Sequence, residues 1–334
     1  MIKLKIIVLF LAMSLAACQP GNTSQTQETN TFQVIAVESF LADIVQNVAG
    51  DRLVVQTLMP KGLDPHSFEP TPRDVALISD SDILFVNGAG FEEWLDDVVE
   101  NLPETLVVVE ASAGLQSRSV DEDEHADEDE HADEDEHADE DEHADEDENA
   151  DEDEHGHEID PHFWLDPTLV ITYAENIRDG LIAIDPEGKE IYSTNTEEYI
   201  QQLKDLDIYI QEKITVIPVE RRLIVTNHES FGYFADRYGF EVVGTILHSV
   251  SSGAAPSAQQ LAQLVDLMRT SGATAIFMET GSNPQLAEQL SQETGIKVVY
   301  DLYTHSVSEE GGNASTYIDL MKYNVEQMVK ALTD

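Results

Sequence analysis

Short apolar runs and amphipathic stretches alternate along most of the chain, and the alternation happens twice. Residues 32–37, 53–59, 83–86 and 106–109 are strand-like. The last two are almost wholly apolar, as expected of strands buried on both faces in a parallel sheet. Helical stretches lie between them, one over 39–49 that stops at Gly50 and one over 71–79 that opens on Thr71-Pro72. The second half repeats the scheme with strands at 223–226, 241–245, 275–278 and 297–300. In its clearest helix, Leu261, Leu264, Val265 and Met268 recur at i, i+3, i+4 and i+7 after the start signal Pro256-Ser257, which sets them on one face. Strand–helix alternation of this kind means an α/β fold with parallel sheets. Here it predicts two lobes, each with a roughly four-stranded sheet flanked by helices.

One long helix is expected between the lobes. Asp185-Pro186 starts it and Pro218 stops it, while Tyr192, Tyr199, Leu203, Leu206 and Ile210 keep roughly helical spacing. About 30 residues at 1.5 Å each span roughly 45 Å, a strut rather than a flexible hinge. The expected layout is an N-terminal lobe over 31–184, a linking helix over 185–220 and a C-terminal lobe over 221–334.

The first thirty residues have another character. Lys3 and Lys5 precede an apolar run over 6–15, followed by Leu15-Ala16-Ala17-Cys18. That run is shorter than the ~20 residues needed to span a bilayer and fits a signal peptide over 1–18. The Leu-Ala-Ala-Cys sequence resembles a bacterial lipobox, which implies a lipid on Cys18 and attachment to a membrane. Residues 19–30 then form a polar tether. Cys18 is the only cysteine, so no other thiol is present for a disulfide or a metal.

Charge changes the picture again. The formal net charge is −50, with 67 Asp and Glu against 17 Lys and Arg. Residues 121–160 alone hold 26 of the acidic residues and no basic one. Such a field attracts cations and repels nucleic acid, so DNA or RNA binding is excluded as a function class. Within this segment His-Ala-Asp-Glu-Asp-Glu recurs, placing His125, His131, His137 and His143 at regular intervals, and His155 and His157 close the series. Nothing in it can build a core, so 121–158 is expected to be a disordered loop. Its imidazoles and carboxylates suit several weak, fast sites that concentrate or sense a metal ion.

The remaining histidines are His66, His162, His228, His248 and His305. His66 follows the second strand and His228 ends the fifth, which is where parallel α/β sheets bind ligands. His162 lies just before a helix. Neutral imidazole suits zinc, yet spacings of this length match no local zinc motif, and residue types alone support no more than a plausible metal site. His248 is expected to be a polar surface residue. Trp94 and Trp164 are expected to pack in the core. The glycines at Gly88-Ala89-Gly90 lack the Lys-Ser/Thr of a phosphate loop, and Ser230 lacks a nucleophile elbow.

Four stretches carry a resemblance: DPHSFEPTPRD (64–74), DPHFWLDP (160–167), TNHESFGYFADRYG (226–239) and TYIDLMKYN (316–324). In this order they resemble the signature segments of the cluster A-I solute-binding proteins of zinc and manganese ABC importers, over the chain from about Phe32 onward. The resemblance implies a TroA-like fold of two four-stranded α/β lobes joined by one long helix, with the metal buried between them. It implies His66, His162 and His228 as ligands. His228 marks the zinc type, since manganese-type members have Glu there, and a His-rich acidic loop is typical of the zinc type. Aligned through Leu302-Tyr303-Thr304-His305-Ser306, the family's usual aspartate falls on His305. The fourth ligand is then His305, with Asp301 or a water as alternatives. Four imidazoles leave the ion's charge to nearby acids, for which Glu279, Glu229 and Asp301 are candidates.

The function expected is that of a non-enzymatic, exported, lipid-anchored protein on the periplasmic or cell-surface side. A monomer is expected to capture Zn2+ and deliver it to an ABC permease with its ATPase. Two rivals remain, a manganese- or iron-binding member of the same family and, more distantly, a zinc hydrolase with Glu229 as general base.

Overall fold

The strands form where apolar runs meet turn residues. A computed structural model of the chain describes residues 32–99, 102–120, 158–247, 249 and 255–333. Cys18, the tether, His248 and the repeat histidines from His125 to His157 lie outside the described residues. The N-terminal sheet is built from β1 (Val34–Ala36), β2 (Val55–Thr57), β3 (Ile83–Val86) and β4 (Val107–Glu110), in the order β2-β1-β3-β4 and parallel throughout. Every residue of β1 and β3, the two central strands, is buried, as their continuous apolar sequence requires. Helices α1 (Ser39–Ala49), α2 (Pro72–Ser79) and α3 (Leu95–Val99) alternate with them. At the start of α2 the Thr71 hydroxyl and the Asp74 carboxylate each accept a backbone N–H of the other residue, so two of the helix's orphan donors are satisfied.

After β4 a short antiparallel ribbon, β5 (Ser119–Val120) with β6 (Glu158–Ile159), brackets the repeat segment. Then come α4 (Val170–Ile184) and the long α5 (Lys189–Ile214). The C-terminal sheet consists of β7 (Leu223–Thr226), β8 (Glu241–Thr245), β9 (Ala275–Glu279) and β10 (Lys297–Leu302), parallel in the order β10-β9-β7-β8. Helices α6 (Gly232–Tyr238), α7 (Ala258–Ser271), α8 (Gln285–Thr294) and α9 (Tyr317–Thr333) complete it. The two four-stranded parallel sheets and the single long helix agree with the architecture read from the sequence.

The long helix is shorter than its start and stop signals suggest. Asp185 caps the end of α4, and its carboxylate accepts from Arg52 at 2.8 Å and from the Tyr192 hydroxyl at 2.6 Å. Pro186–Gly188 then makes one 3-10 turn before α5 begins. The 26 residues of α5 span roughly 39 Å at 1.5 Å each. Its inward stripe is the expected one: Tyr192, Tyr199, Leu203, Leu206 and Ile210 are all buried.

Residues Phe32–Asp334 fall in one compact unit. The largest apolar cluster runs through both lobes, from Val34 and Phe85 on one side to Phe277 and Leu302 on the other, with α1, α5 and α9 packed between. Trp164 is fully buried at this seam. It stacks on Phe40 at 4.4 Å, donates its indole N–H to the Thr304 carbonyl at 2.8 Å, and accepts the Tyr317 hydroxyl on its own carbonyl at 2.5 Å.

Candidate metal centre

Four histidines converge beyond the carboxyl ends of the strands. His66 sits in the 3-10 turn Pro65–Ser67 after β2, and His162 immediately before the 3-10 turn Phe163–Leu165 after β6. His228 follows β7 directly and His305 lies three residues past β10. The first two share a local device. Each follows Asp-Pro, and the aspartate accepts the histidine's own N–H, Asp64 from His66 at 3.1 Å and Asp160 from His162 at 3.0 Å. The proline fixes φ and the carboxylate closes the turn, so the imidazole leaves a rigid backbone.

One ring nitrogen from each of the four lies within 4.8 Å of the others. The Nε2 atoms of His162 and His228 are 3.3 Å apart. A tetrahedral zinc with Zn–N bonds of about 2.0–2.1 Å has edges of about 3.4 Å, so this pair already spans one edge. His162, His228 and His305 are buried, and His66 is half-buried. Among the described residues the buried Nε2 atoms of His66 and His305 have no hydrogen-bond partner. Buried nitrogens are rarely left so, and a cation supplies what they lack.

Carboxylates stand behind the rings. Glu279, the last residue of β9, places Oε1 2.8 Å from His228 Nδ1 and Oε2 3.4 Å from His305 Nδ1. It also accepts from the Thr304 hydroxyl at 2.6 Å and the Ser230 hydroxyl at 3.2 Å. Asp160 Oδ1 lies 2.9 Å from His162 Nδ1. The Asp160 contact sets the His162 tautomer and turns its Nε2 lone pair inward, while Glu279 pairs with His228 at ion-pair distance. Two carboxylates in this outer ring match the charge of one divalent ion.

The electrostatics follow from burial and from Glu279. Burial, reinforced by His228, lowers His66 to about 4, and it pushes His162 and His305 well below the usual imidazole range. For His228 burial acts the same way, but the Glu279 carboxylate outweighs it and the value is raised. Burial opposes charge on Glu279 too, yet the His228 contact holds it below the ordinary carboxylate range. Burial raises Asp160 to about 7, against the His162 N–H and Arg118. In the metal-free protein burial therefore favours the neutral form of three imidazoles, while Glu279 favours the charged form of the fourth.

The other residues singled out from the sequence lie elsewhere. Asp301 is exposed, at a register shift in β10 where its φ is +66°. We predict that Asp301→Gly leaves metal affinity unchanged and stability within about 1 kcal/mol, because only glycine adopts that backbone freely. Chelator competition and thermal unfolding check this, and a hundredfold loss of affinity would restore Asp301 as a ligand. Glu229 accepts from the Thr245 hydroxyl at 3.0 Å and is absent from the four-residue cluster. Trp94 is half-buried against Phe68. Asp160 is the participant that sequence reasoning missed as a partner of the site. Its signal was the Asp-Pro-His unit occurring twice.

Residues 34–331 match the family described as zinc-uptake complex component A, periplasmic. The chain belongs to this family. It is 32% identical over 327 residues to the manganese-binding lipoprotein MntA of Halalkalibacterium halodurans, covering 98% of this chain and 97% of that one. Among solved structures, the manganese-bound periplasmic metal-binding protein of Candidatus Liberibacter asiaticus superposes with a TM-score of 0.73 at 27% identity, over 90% of this chain and all of that one. The periplasmic zinc-binding protein TroA of Treponema pallidum does so with a TM-score of 0.76 at 25% identity, over 91% of this chain and all of its own. Members of the family are substrate-binding components of ABC transporters and not enzymes, so this chain is a metal-binding component of that kind. Such a component works with a permease and its ATPase. The zinc-hydrolase reading falls with this assignment. No helix among the described residues is long and apolar enough to cross a membrane.

Proposed function

We propose that the cargo is zinc, held by His66, His162, His228 and His305 and handed to the permease of an ABC importer. The observation that carries this reading is the donor set: four imidazoles within 4.8 Å and no carboxylate among them. Imidazole suits zinc, while manganese favours carboxylate and water oxygens. A four-coordinate shell closed by protein groups also suits zinc. Glu279 and Asp160 supply the compensating charge from behind the rings, so the ion is neutralised without oxygen ligands.

A second reading has its own support. The relative MntA is named manganese-binding, and the Liberibacter structure holds manganese. Competition separates the two. The protein from residue 19 onward is stripped of metal, given equimolar zinc and manganese, and analysed for bound metal and stoichiometry, with and without residues 121–158. One zinc per chain in both forms, with manganese excluded, is the expected result. Retention of manganese would make the second reading correct. Loss of tight binding on loop deletion would reassign the ligands to the repeat histidines. In this proposal those histidines, His125, His131, His137, His143, His155 and His157, bind zinc weakly and raise its concentration near the cleft. A lipid on Cys18 holds the monomer beside its permease.

A further inference from the structure

The loop that bears His66 is tied to the residues after His305. The Ser306 hydroxyl accepts the Gly62 N–H at 2.8 Å, four residues before His66. The same hydroxyl lies 3.1 Å from the Ser39 hydroxyl, which accepts the Val307 N–H at 3.0 Å. Beside them the Lys61 ammonium donates to the Ser308 carbonyl at 3.0 Å. Ser39 opens α1 and Lys61–Gly62 follow β2, so both belong to the N-terminal sheet's connections. Ser306, Val307 and Ser308 follow β10 of the other sheet. A third contact tightens the seam. A Cβ added at Gly281, two residues beyond Glu279, would lie 2.7 Å from the Gly62 carbonyl oxygen. The backbones meet there without room for a side chain.

We infer that Ser306 is a positioning residue for the cargo: its hydroxyl couples the His66 turn to the His305 segment and thereby sets how slowly the metal leaves. The inference rests on the four-histidine site proposed above. His66 and His305 come from different lobes, and their rings pack edge-on with centroids 5.2 Å apart. Nothing between them is covalent, and each could drift with its own loop. The Ser306 hydrogen bonds hold the two loops at the spacing the ion needs before the ion arrives. The ordering cost is then met on folding rather than on binding. Ser306 is itself buried, which shields its contact with the Ser39 hydroxyl from competing water. Loss of the hydroxyl leaves the N–H of Gly62, an exposed residue, to water, so the fold persists while the half-buried His66 is freed to swing outward. His66 is the ligand with the easiest path to solvent, so release begins there.

The test measures zinc dissociation from loaded protein into a chromogenic chelator. Ser306→Ala is expected to release zinc about tenfold faster, the lower end of what outer contacts contribute to metal affinity. Gly281→Ala, a wedge against Gly62 that removes no hydrogen bond, is expected to act in the same direction. Its strained backbone lowers thermal stability as well, so it is judged on rate alone. The metal-free melting temperature of Ser306→Ala stays near wild type. In a His66→Ala background, Ser306→Ala adds nothing, because the ligand through which it acts is gone. Wild-type release by Ser306→Ala overturns the inference. So does an undiminished effect in the His66→Ala background, which marks general loosening. If Ser306→Ala does not fold, a wild-type rate for Gly281→Ala overturns it. Wild-type zinc retention by His66→Ala and His305→Ala would instead overturn the four-histidine site, and the inference with it.

Discussion

Replacing His228 with alanine is expected to weaken zinc binding by roughly a hundred- to a thousandfold. Four-ligand zinc sites bind with about 10–16 kcal/mol near neutral pH. One ligand in four then carries about 2.5–4 kcal/mol, at 1.4 kcal/mol per tenfold. His228 also faces Glu279 at 2.8 Å, so its loss strips a buried carboxylate of its nearest partner and adds to the cost. Competition with a chelator of known affinity measures the change, and a loss below tenfold would remove His228 from the ligand set. The same contact restricts conversion towards manganese. His228→Glu alone sets two carboxylates against each other, and like charges this close do not both ionise.

Glu279→Gln is expected to weaken zinc binding by roughly 10–100-fold above the titration of the histidines, as loss of an outer carboxylate partner does. It should also remove the proton that His228 gives up on binding. The sign follows from His228. Its value is raised by Glu279 against the opposing effect of burial, so the imidazolium form persists to higher pH than on a free histidine. The Nε2–H then points at His162 Nε2, 3.3 Å away, in the space the ion takes. Zinc displaces it. Below the raised value, affinity falls about tenfold per pH unit, and above it affinity is flat. His66, lowered to about 4, adds a further loss only at much lower pH. An amide at position 279 does not hold the imidazolium, and burial then lowers His228 with the rest. Calorimetry in two buffers of different ionisation enthalpy counts the protons. An unchanged count in Glu279→Gln would sink this account.

The parts of the fold written in local periodicity were legible. Strands at 223–226 and 241–245 and the helix at 39–49 have the bounds their apolar patterns give. Strand ends drifted elsewhere: Glu279 extends β9 by pairing with Leu302, β10 runs on past a register shift at Asp301, and the apolar runs at 32–37 and 53–59 pair only over Val34–Ala36 and Val55–Thr57. The linking helix starts at Pro186 as its sequence signal says, but its first turn is 3-10, Pro186–Gly188, and the α-helix proper runs over Lys189–Ile214. At the site, the positions of His66 and His228 beyond strand ends follow from topology. That His305 joins them follows from the resemblance through Leu302–Ser306 rather than from spacing, and the structure brings its ring to the other three. Asp160 was passed over because a carboxylate two residues before a ligand looks like a turn residue, and here it is both.

The seam at Trp164 has a consequence for unfolding. Proteins that close around cargo by swinging two separate lobes keep separate cores, and each lobe can melt on its own. Here one apolar cluster passes through both sheets, with α5 and α9 packed between them. Neither sheet can lose its helices without exposing the other's interior. Heating should therefore produce one calorimetric transition, whose van't Hoff and calorimetric enthalpies agree. Zinc should shift that transition as a whole. Metal exchange is then left to loop-scale motions around a frame that opens only when the entire protein does.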